Sequence, residues 1–204
     1  MLIGYYNKSV ILTYIGVFFG ILAMLMAFNS DFLYAHLALL ASGVCDMFDG
    51  KIARMCKRSR KEKQFGIEID SLADMLNFIA APIVILICMG YTEWYFAAIY
   101  TAYALGGIIR LGYFNVVANS FLGESVRYYS GLPVTTTSFI LPLVYILTNF
   151  IDADTYKLLM TGLFSLIAIS FVYNFKIRKP SNTTTYIFLI LAFTIAIGLV
   201  FFIK

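Results

Sequence analysis

Four aspartates at helical spacing are the residues of this sequence best suited to chemistry. Asp46 and Asp49 are three residues apart and Asp70 and Asp74 are four apart, so each pair lies on one face of a helix. Carboxylates grouped this closely cannot all remain ionised without a compensating cation. The chain has one histidine, His36, so an all-oxygen site for hard divalent ions is expected. Magnesium or manganese suits phosphate chemistry, calcium also fits the ligand type, and four carboxylates suffice for two ions.

Small residues accompany these acids at matching helical offsets. Glycine or alanine stands four residues from three of the aspartates, at Gly50, Ala53 and Gly66. Each helix therefore offers carboxylates beside a place where a large group can approach the backbone. The alternative is that the acids form interhelical salt bridges with Lys51, Arg54 or Arg58. That alternative explains one pair but not four acids beside small residues, and Arg54 is left as either a substrate contact or a structural partner.

The composition indicates that lipid surrounds the elements that carry these acids. Of the 204 residues, 61% are hydrophobic and 13% are charged, whereas soluble domains carry about 25% charged residues. We predict an all-α, polytopic membrane bundle that forms one domain over residues 1–204. The seven predicted spans are 9–28, 32–50, 69–89, 94–113, 133–148, 156–173 and 184–202.

The distribution of lysine and arginine predicts the orientation of the bundle. With seven spans, 13 of the 15 basic residues fall on one side, which predicts a cytoplasmic N-terminus and an external C-terminus. These residues are Lys8, Lys51, Arg54, Lys57, Arg58, Arg60, Lys61, Lys63, Arg110, Arg127, Lys176, Arg178 and Lys179, against Lys157 and Lys204 outside. The aspartates then lie near the cytoplasmic face. The basic segment 51–63 fixes topology and could also attract an anionic substrate.

Acids inside a membrane usually face a cavity and act there. A membrane scaffold leaves the four acids unexplained, so two functional classes are weighed. An ion- or proton-coupled transporter would use them as a cation relay. That class has no need of the small residues at the matching offsets, and the sequence shows no pair of similar halves with broken helices. A metal-dependent enzyme acting on a phosphate-containing substrate uses both features.

The segment that carries the acids resembles the signature of the CDP-alcohol phosphotransferases. That signature reads D-x2-D-G-x2-A-R, a spacer, and G-x3-D-x3-D. All eight fixed positions are filled, by Asp46, Asp49, Gly50, Ala53, Arg54, Gly66, Asp70 and Asp74. The spacer 55–65 has eleven residues, more than in most members, and we expect it to lengthen a cytoplasmic loop without moving the acids.

The resemblance implies a transfer between a CDP-linked donor and an alcohol, with two divalent cations, Mg²⁺ or Mn²⁺. It implies metal ligation by Asp46, Asp49 and Asp70, and a general-base role for Asp74, which could also touch a metal. The residues expected at the CDP donor are Asp49, Gly50, Ala53, Arg54, Gly66 and, on the first span, Thr13.

Two later segments resemble bacterial and archaeal phosphatidylserine synthases, as does the run "DSLAD". They are "GIIRLGYFNV" at 107–116 and "YYSGLPVTTTS" at 128–138, where Thr135 replaces a usual proline. This resemblance implies CDP-diacylglycerol as donor and L-serine as acceptor. We expect Arg110 and Asn115 to bind the acceptor carboxylate or the donor phosphate, with snorkelling as the alternative for Arg110. The hydroxyl run 135–138 either lines the acceptor pocket or bonds to its own helix backbone, and we favour the second.

The remaining expectations concern substrates, assembly and location. Glycerol phosphate or inositol phosphate as acceptor, and an archaeal ether-lipid donor, remain as alternatives. We expect contact with membrane lipid, no nucleic-acid partner, a homodimer, and a multi-pass protein of the inner (cytoplasmic) cell membrane with its site facing the cytoplasm. The family resemblance covers a six-helix core, about 1–180, and leaves 184–203 as one additional generic helix.

Overall fold

Eight α-helices and two short strands make up the computed structural model, which describes residues 3–120, 128–178 and 182–203. The helices are α1 (Ile11–Phe28), α2 (Phe32–Met55), α3 (Arg60–Asp74), α4 (Ala81–Cys88), α5 (Trp94–Ser120), α6 (Thr137–Tyr145), α7 (Ala153–Val172) and α8 (Asn182–Phe202). The strands are β1 (Tyr128–Ser130) and β2 (Lys176–Arg178). Arg127, Lys179 and Lys204 from the charge pattern lie outside the described residues.

Five helical stretches in the described part of the chain are long and apolar enough to cross a membrane. They are Lys8–Phe28, Phe32–Met55, Arg60–Cys88, Ala153–Val172 and Thr184–Phe202. The third is one continuous helix, in which α3 continues through a π-helical turn, Met75–Ala80, into α4. A shorter apolar helical stretch, Val134–Asn149, and the 27-residue α5 complete the bundle. The predicted all-α polytopic architecture is therefore confirmed.

The two strands are a local addition that the sequence did not predict. They pair antiparallel, with Tyr129 opposite Ile177. Each strand follows a long helix, since β1 comes after α5 and β2 after α7. The pairing therefore joins the chain segments that leave these two helices at the same end of the bundle.

The spacer between the two aspartate pairs differs from its predicted form. Only residues 56–59 separate α2 from α3, so most of the spacer is helix rather than an extended loop. The reason is a capping box, in which the Ser59 hydroxyl accepts from the Glu62 backbone amide and the Glu62 carboxylate accepts from the Ser59 amide. Asn7 also donates to Glu62, at 3.1 Å, which ties the start of the chain to the start of α3.

Small residues allow α1 to lie close to α2 and to the π turn. The Ser42 hydroxyl donates to the Gly16 carbonyl at 3.0 Å across the α1–α2 contact. A Cβ atom on Gly20 would lie 2.9 Å from Asn77 Cγ, and one on Gly43 would overlap Ser138. These three contacts bring α1, α2, the π turn and the beginning of α6 together around the depth at which the aspartates lie.

The opposite end of the bundle gathers the loops predicted to lie outside. Lys157 forms an ion pair with Glu93, which links the beginning of α7 to the loop before α5. Asn149 donates to the Phe202 carbonyl at 2.5 Å, so the end of α8 lies at this end as well. The fold thus separates these loops from the aspartates, as the seven-span topology requires.

Candidate active site

All four aspartates line one cavity of about 490 Å³ between the helices. Helix α2 contributes Asp46 and Asp49, and α3 contributes Asp70 and Asp74. The cavity is also lined by cationic side chains, namely Lys51, Arg54 and Arg110. Its apolar wall is formed by Met47, Leu111, Phe114, Leu132, Phe139 and Phe188. A cavity lined by acidic, cationic and apolar side chains together suits a ligand that has both a phosphate group and an apolar part.

The carboxylates converge as the helical spacing predicts. Ligand oxygens of Asp46, Asp49 and Asp70 all lie within 4.8 Å of one another. Asp74 lies beside Asp46, and Asp70 lies beside Asp49. Each pair joins one acid of α2 to one of α3, so the two helices meet through their carboxyl groups.

Two threonines from distant parts of the chain hold the acids of α2. The Thr13 hydroxyl donates to Asp49 Oδ2 at 2.8 Å, and the Thr135 hydroxyl donates to Asp46 Oδ2 at 2.7 Å. Thr13 and Asp49 are 7% and 6% exposed, so water does not compete strongly for this bond. Each bond therefore helps to fix the orientation of one carboxylate of α2.

This donor set fits hard divalent cations. Three carboxylates supply closely spaced oxygens, the donor type that Mg²⁺ and Mn²⁺ prefer. In the described ranges, no ion pair joins any of the four aspartates to Lys51, Arg54 or Arg58, so the salt-bridge alternative is not realised. Mutual repulsion of buried carboxylates therefore favours uptake of an ion at this position.

The residues predicted to bind the CDP donor occupy different positions. Gly50 and Arg54 line the cavity, whereas Ala53 and Gly66 are not among its lining residues. A Cβ atom on Gly66 would lie 3.2 Å from an Arg58 guanidinium nitrogen, so this glycine makes room for Arg58. Thr13 is also absent from the wall, because it lies behind Asp49. These assignments remain predictions, and for Thr13 the structure gives a contact with a carboxylate instead.

The two predicted acceptor residues are also separated. Arg110 lines the acidic cavity and borders a second cavity of about 230 Å³. Asn115 is not among the lining residues of the acidic cavity. It accepts from the Ser71 hydroxyl at 2.7 Å and donates to Glu68 at 3.0 Å. Asn115 therefore connects α5 to α3 and reaches the cavity only through Ser71, which does line it.

The hydroxyl run 135–138, at the beginning of α6, follows the favoured interpretation, bonding to its own helix backbone, only in part. Thr136 donates to the Pro133 carbonyl at 2.5 Å and Ser138 to the Thr135 carbonyl at 2.7 Å, as expected for bonding to local backbone. For Thr135 the favoured interpretation is wrong, because its hydroxyl donates to Asp46. The usual proline at this position could not have made that bond.

The last helix contributes to the site, which the sequence did not predict. Thr184, Thr185 and Phe188, near the beginning of α8, line the acidic cavity. We predicted no site residue in this helix, and its assignment as an addition to a six-helix core stays a prediction. The available signal was the pair of hydroxyl residues at the beginning of an otherwise apolar span.

The protein is thus a polytopic membrane protein whose helices surround a cavity with four clustered carboxylates, a site suited to divalent cations. The model of the family described as CDP-alcohol phosphatidyltransferase matches residues 6–203. This chain belongs to that family, whose members are phosphotransferases, and membership implies the use of divalent metal ions.

Three relatives show what the chain is similar to. A CDP-diacylglycerol--serine O-phosphatidyltransferase of Helicobacter pylori (strain J99) is 31% identical over 172 residues, covering 81% of this chain and 68% of the relative. The protein of the same name from Saccharomyces cerevisiae is 36% identical over 108 residues, covering 50% and 38%. An archaetidylserine synthase of Methanothermobacter thermautotrophicus is 28% identical over 163 residues, covering 79% and 64%.

Proposed function

We propose that this chain transfers the phosphatidyl group of CDP-diacylglycerol to the hydroxyl of L-serine, giving phosphatidylserine and CMP. The observation that carries the proposal is the convergence of four carboxylates in a cavity whose wall also has cationic and apolar parts. The names of the relatives support the choice of donor and acceptor.

The cavity wall suggests how the donor is held. Lys51 and Arg54 supply positive charge for the diphosphate, and the open backbone at Gly50 gives the nucleotide a close approach. The apolar side chains of the wall suit the glycerol and acyl portions of the lipid. Arg110, on the same wall, is suited to the serine carboxylate because a guanidinium can bind a carboxylate through two parallel hydrogen bonds.

In the proposed step the serine hydroxyl oxygen attacks the phosphorus that carries diacylglycerol. A new P–O bond to serine forms, the P–O bond to CMP breaks, and CMP leaves with that electron pair. Asp74 accepts the hydroxyl proton, and its position in the cavity wall beside Asp46 supports this role. Two divalent cations, Mg²⁺ or Mn²⁺, held by Asp46, Asp49 and Asp70, would polarise the diphosphate and neutralise the leaving group.

We also propose that the protein lies in the cytoplasmic membrane of the cell, with the acidic cavity facing the cytoplasm, and forms a homodimer. The excess of lysine and arginine in the loops at the aspartate end supports the orientation. Cysteine labelling in intact cells, at Ser59 for one end and Asp154 for the other, tests the orientation. Light scattering of the detergent-solubilised protein tests the oligomeric state.

An acceptor screen is the direct test of the function. Purified protein with CDP-diacylglycerol should release CMP only when L-serine and a divalent metal ion are both present. Glycerol 3-phosphate and inositol phosphate serve as competing acceptors. Release of CMP with either of these, and none above background with serine, would refute the proposed acceptor while leaving the family assignment intact.

Substitution of the proposed base is the second test. Asp74→Asn should reduce turnover by about 10²- to 10⁴-fold, the usual contribution of a general base, without loss of the folded protein. Asp154→Asn is the matched control, since Asp154 is exposed near the beginning of α7. Equal activity of the two variants would show that Asp74 does not act as the base.

A second donor remains a candidate because one relative is named archaetidylserine synthase. The archaeal ether-lipid analogue of CDP-diacylglycerol would enter the same cavity and undergo the same transfer to serine. A comparison of kcat/KM for the two donors decides between them.

A further inference from the structure

The helix that carries Asp70 and Asp74 changes its hydrogen-bonding pattern immediately after Asp74. The π turn Met75–Ala80 begins at the next residue, and Pro82 follows at the beginning of α4. Proline has no backbone N–H, so the carbonyl four residues earlier, that of Phe78, cannot receive the α-helical bond from residue 82. Single π turns inside α-helices are frequent at functional sites.

The Phe78 carbonyl is satisfied by a side chain from another helix. The Tyr103 hydroxyl of α5 donates to it at 2.6 Å, and Tyr103 is 0% exposed. The Tyr103 ring is packed against Phe164 and Phe171 of α7, with ring centroids 4.7 Å and 5.3 Å away. These contacts fix the position of the ring and therefore hold the hydroxyl beside the π turn.

The same hydroxyl reaches a second element of the site. It lies 3.1 Å from Thr137 Oγ1, and because its only proton is committed to the Phe78 carbonyl, it accepts at this contact. Thr137 is the first residue of α6, and Thr135, two residues earlier, donates to Asp46. One buried hydroxyl thus joins the turn behind Asp74 to the segment that holds Asp46.

We propose that Tyr103 is a positioning residue for the carboxylates of the proposed reaction. Among the described residues it contacts no carboxylate, and it does not line the cavity. It acts by fixing the π turn that follows Asp74 against the beginning of α6, and so fixes the distance between the acids of α3 and those of α2. The proposal rests on the proposed function for its kinetic readout, but its metal-binding readout is independent of turnover.

The test compares Tyr103→Phe with Tyr100→Phe in the full-length protein. Tyr100 lies on the same helix, and its hydroxyl donates to the Tyr91 carbonyl at 2.9 Å, so both variants lose one hydroxyl–carbonyl bond. We expect Tyr103→Phe to lower kcat about tenfold with an unchanged KM for serine, and to weaken Mn²⁺ binding by a similar factor, as loss of supports behind metal ligands does. Mn²⁺ binding is read from the electron paramagnetic resonance signal of the free ion.

The result that would overturn the proposal is equality of the two variants in both kcat and Mn²⁺ affinity, with equal falls in Tm. Should Tyr103→Phe fail to fold, Thr137→Val and Thr137→Ser replace it: the valine variant should lose activity and Mn²⁺ affinity, and the serine variant should keep both. Equal behaviour of these two also refutes the proposal. If the wild-type protein releases no CMP with serine, the proposed function fails, while the Mn²⁺ titration still decides the role of Tyr103.

Discussion

Replacement of Thr13 by valine removes one hydrogen bond at the acidic site without changing the shape of the side chain appreciably. The Thr13 hydroxyl donates to Asp49 at 2.8 Å, and both residues are buried. Hydrogen bonds to charged groups contribute about 1.5–3 kcal/mol, and each 1.36 kcal/mol corresponds to about tenfold in an equilibrium constant. The loss of metal affinity therefore has an upper limit of about a hundredfold. We expect the metal affinity to fall about tenfold, because loss of the hydrogen bond also destabilises the ion-free protein and part of the effect cancels.

The assay is a Mn²⁺ titration of the purified protein, followed by the metal dependence of CMP release. Thr13→Ser keeps the hydroxyl and should behave like the wild type in both. Thr101→Val is the matched control on another helix, since the exposed Thr101 donates to the carbonyl of Ala97 in its own helix. The two control variants separate the effect of the hydroxyl from that of any substitution in an apolar helix.

The reasoning would be refuted by a Thr13→Val protein whose Mn²⁺ affinity lies within twofold of the wild-type value. That result would mean that Asp49 keeps its orientation without the hydroxyl, and that the bond has no part in preparing the site. A fall in Tm with unchanged affinity would lead to the same conclusion, because it would assign the bond to the α1–α2 contact alone.

Two further predictions concern stability. Gly20→Ala should lower the free energy of unfolding by about 1–3 kcal/mol, because the new Cβ atom would overlap Asn77 and the π turn would have to shift. Gly112→Ala is the control, because its Cβ atom would meet no described atom within 4 Å. This variant should be neutral or stabilising by up to about 1 kcal/mol. Equal shifts in Tm would contradict this. At the other end of the bundle, hydrogen bonds from the Thr155 backbone amide and hydroxyl hold the pKa of Asp152 below its usual 3.8. Ionised Asp152 therefore stabilises the N-terminus of α7 fully at pH values above 3.8. This stabilisation is lost as the pH falls through the lowered pKa. The Tm difference between the wild type and Asp152→Asn should therefore shrink on acidification, and a difference that does not vary with pH would refute the assignment.

The convergence of the acids could be predicted because it depends on features close together in the chain. Asp46 and Asp49 share a face of one predicted span, and Asp70 and Asp74 share a face of the next, so the two pairs lie at the two ends of one connection and are expected to lie near each other. The structure brings oxygens of Asp46, Asp49 and Asp70 within 4.8 Å of one another. Helical periodicity and the position of the two pairs on consecutive spans were sufficient for this part of the site, although the connection is shorter than the loop we predicted.

The partners of those acids could not be predicted in the same way. Thr13 and Asp49 are 36 residues apart, and Thr135 and Asp46 are 89 apart. Helical periodicity in the sequence shows which side of a helix is polar, but it does not show which other helix will pack against that side. The same limitation applies to Tyr103, which looks like one more aromatic residue in an apolar helix until its hydroxyl is placed beside the Phe78 carbonyl.

The distances at the site also explain small residues that lie outside the aspartate motif. A threonine hydroxyl stands close to its own backbone, so Thr13 can reach Asp49 only if α1 and α2 lie unusually near each other. Gly16 makes this possible one turn further along α1, where its carbonyl accepts from Ser42 of α2. Gly20 continues the same face towards the π turn. Close approach of helices in lipid commonly depends on such residues. In this protein the close approach serves the site, because short polar side chains can hold the carboxylates only when the backbones around them are near.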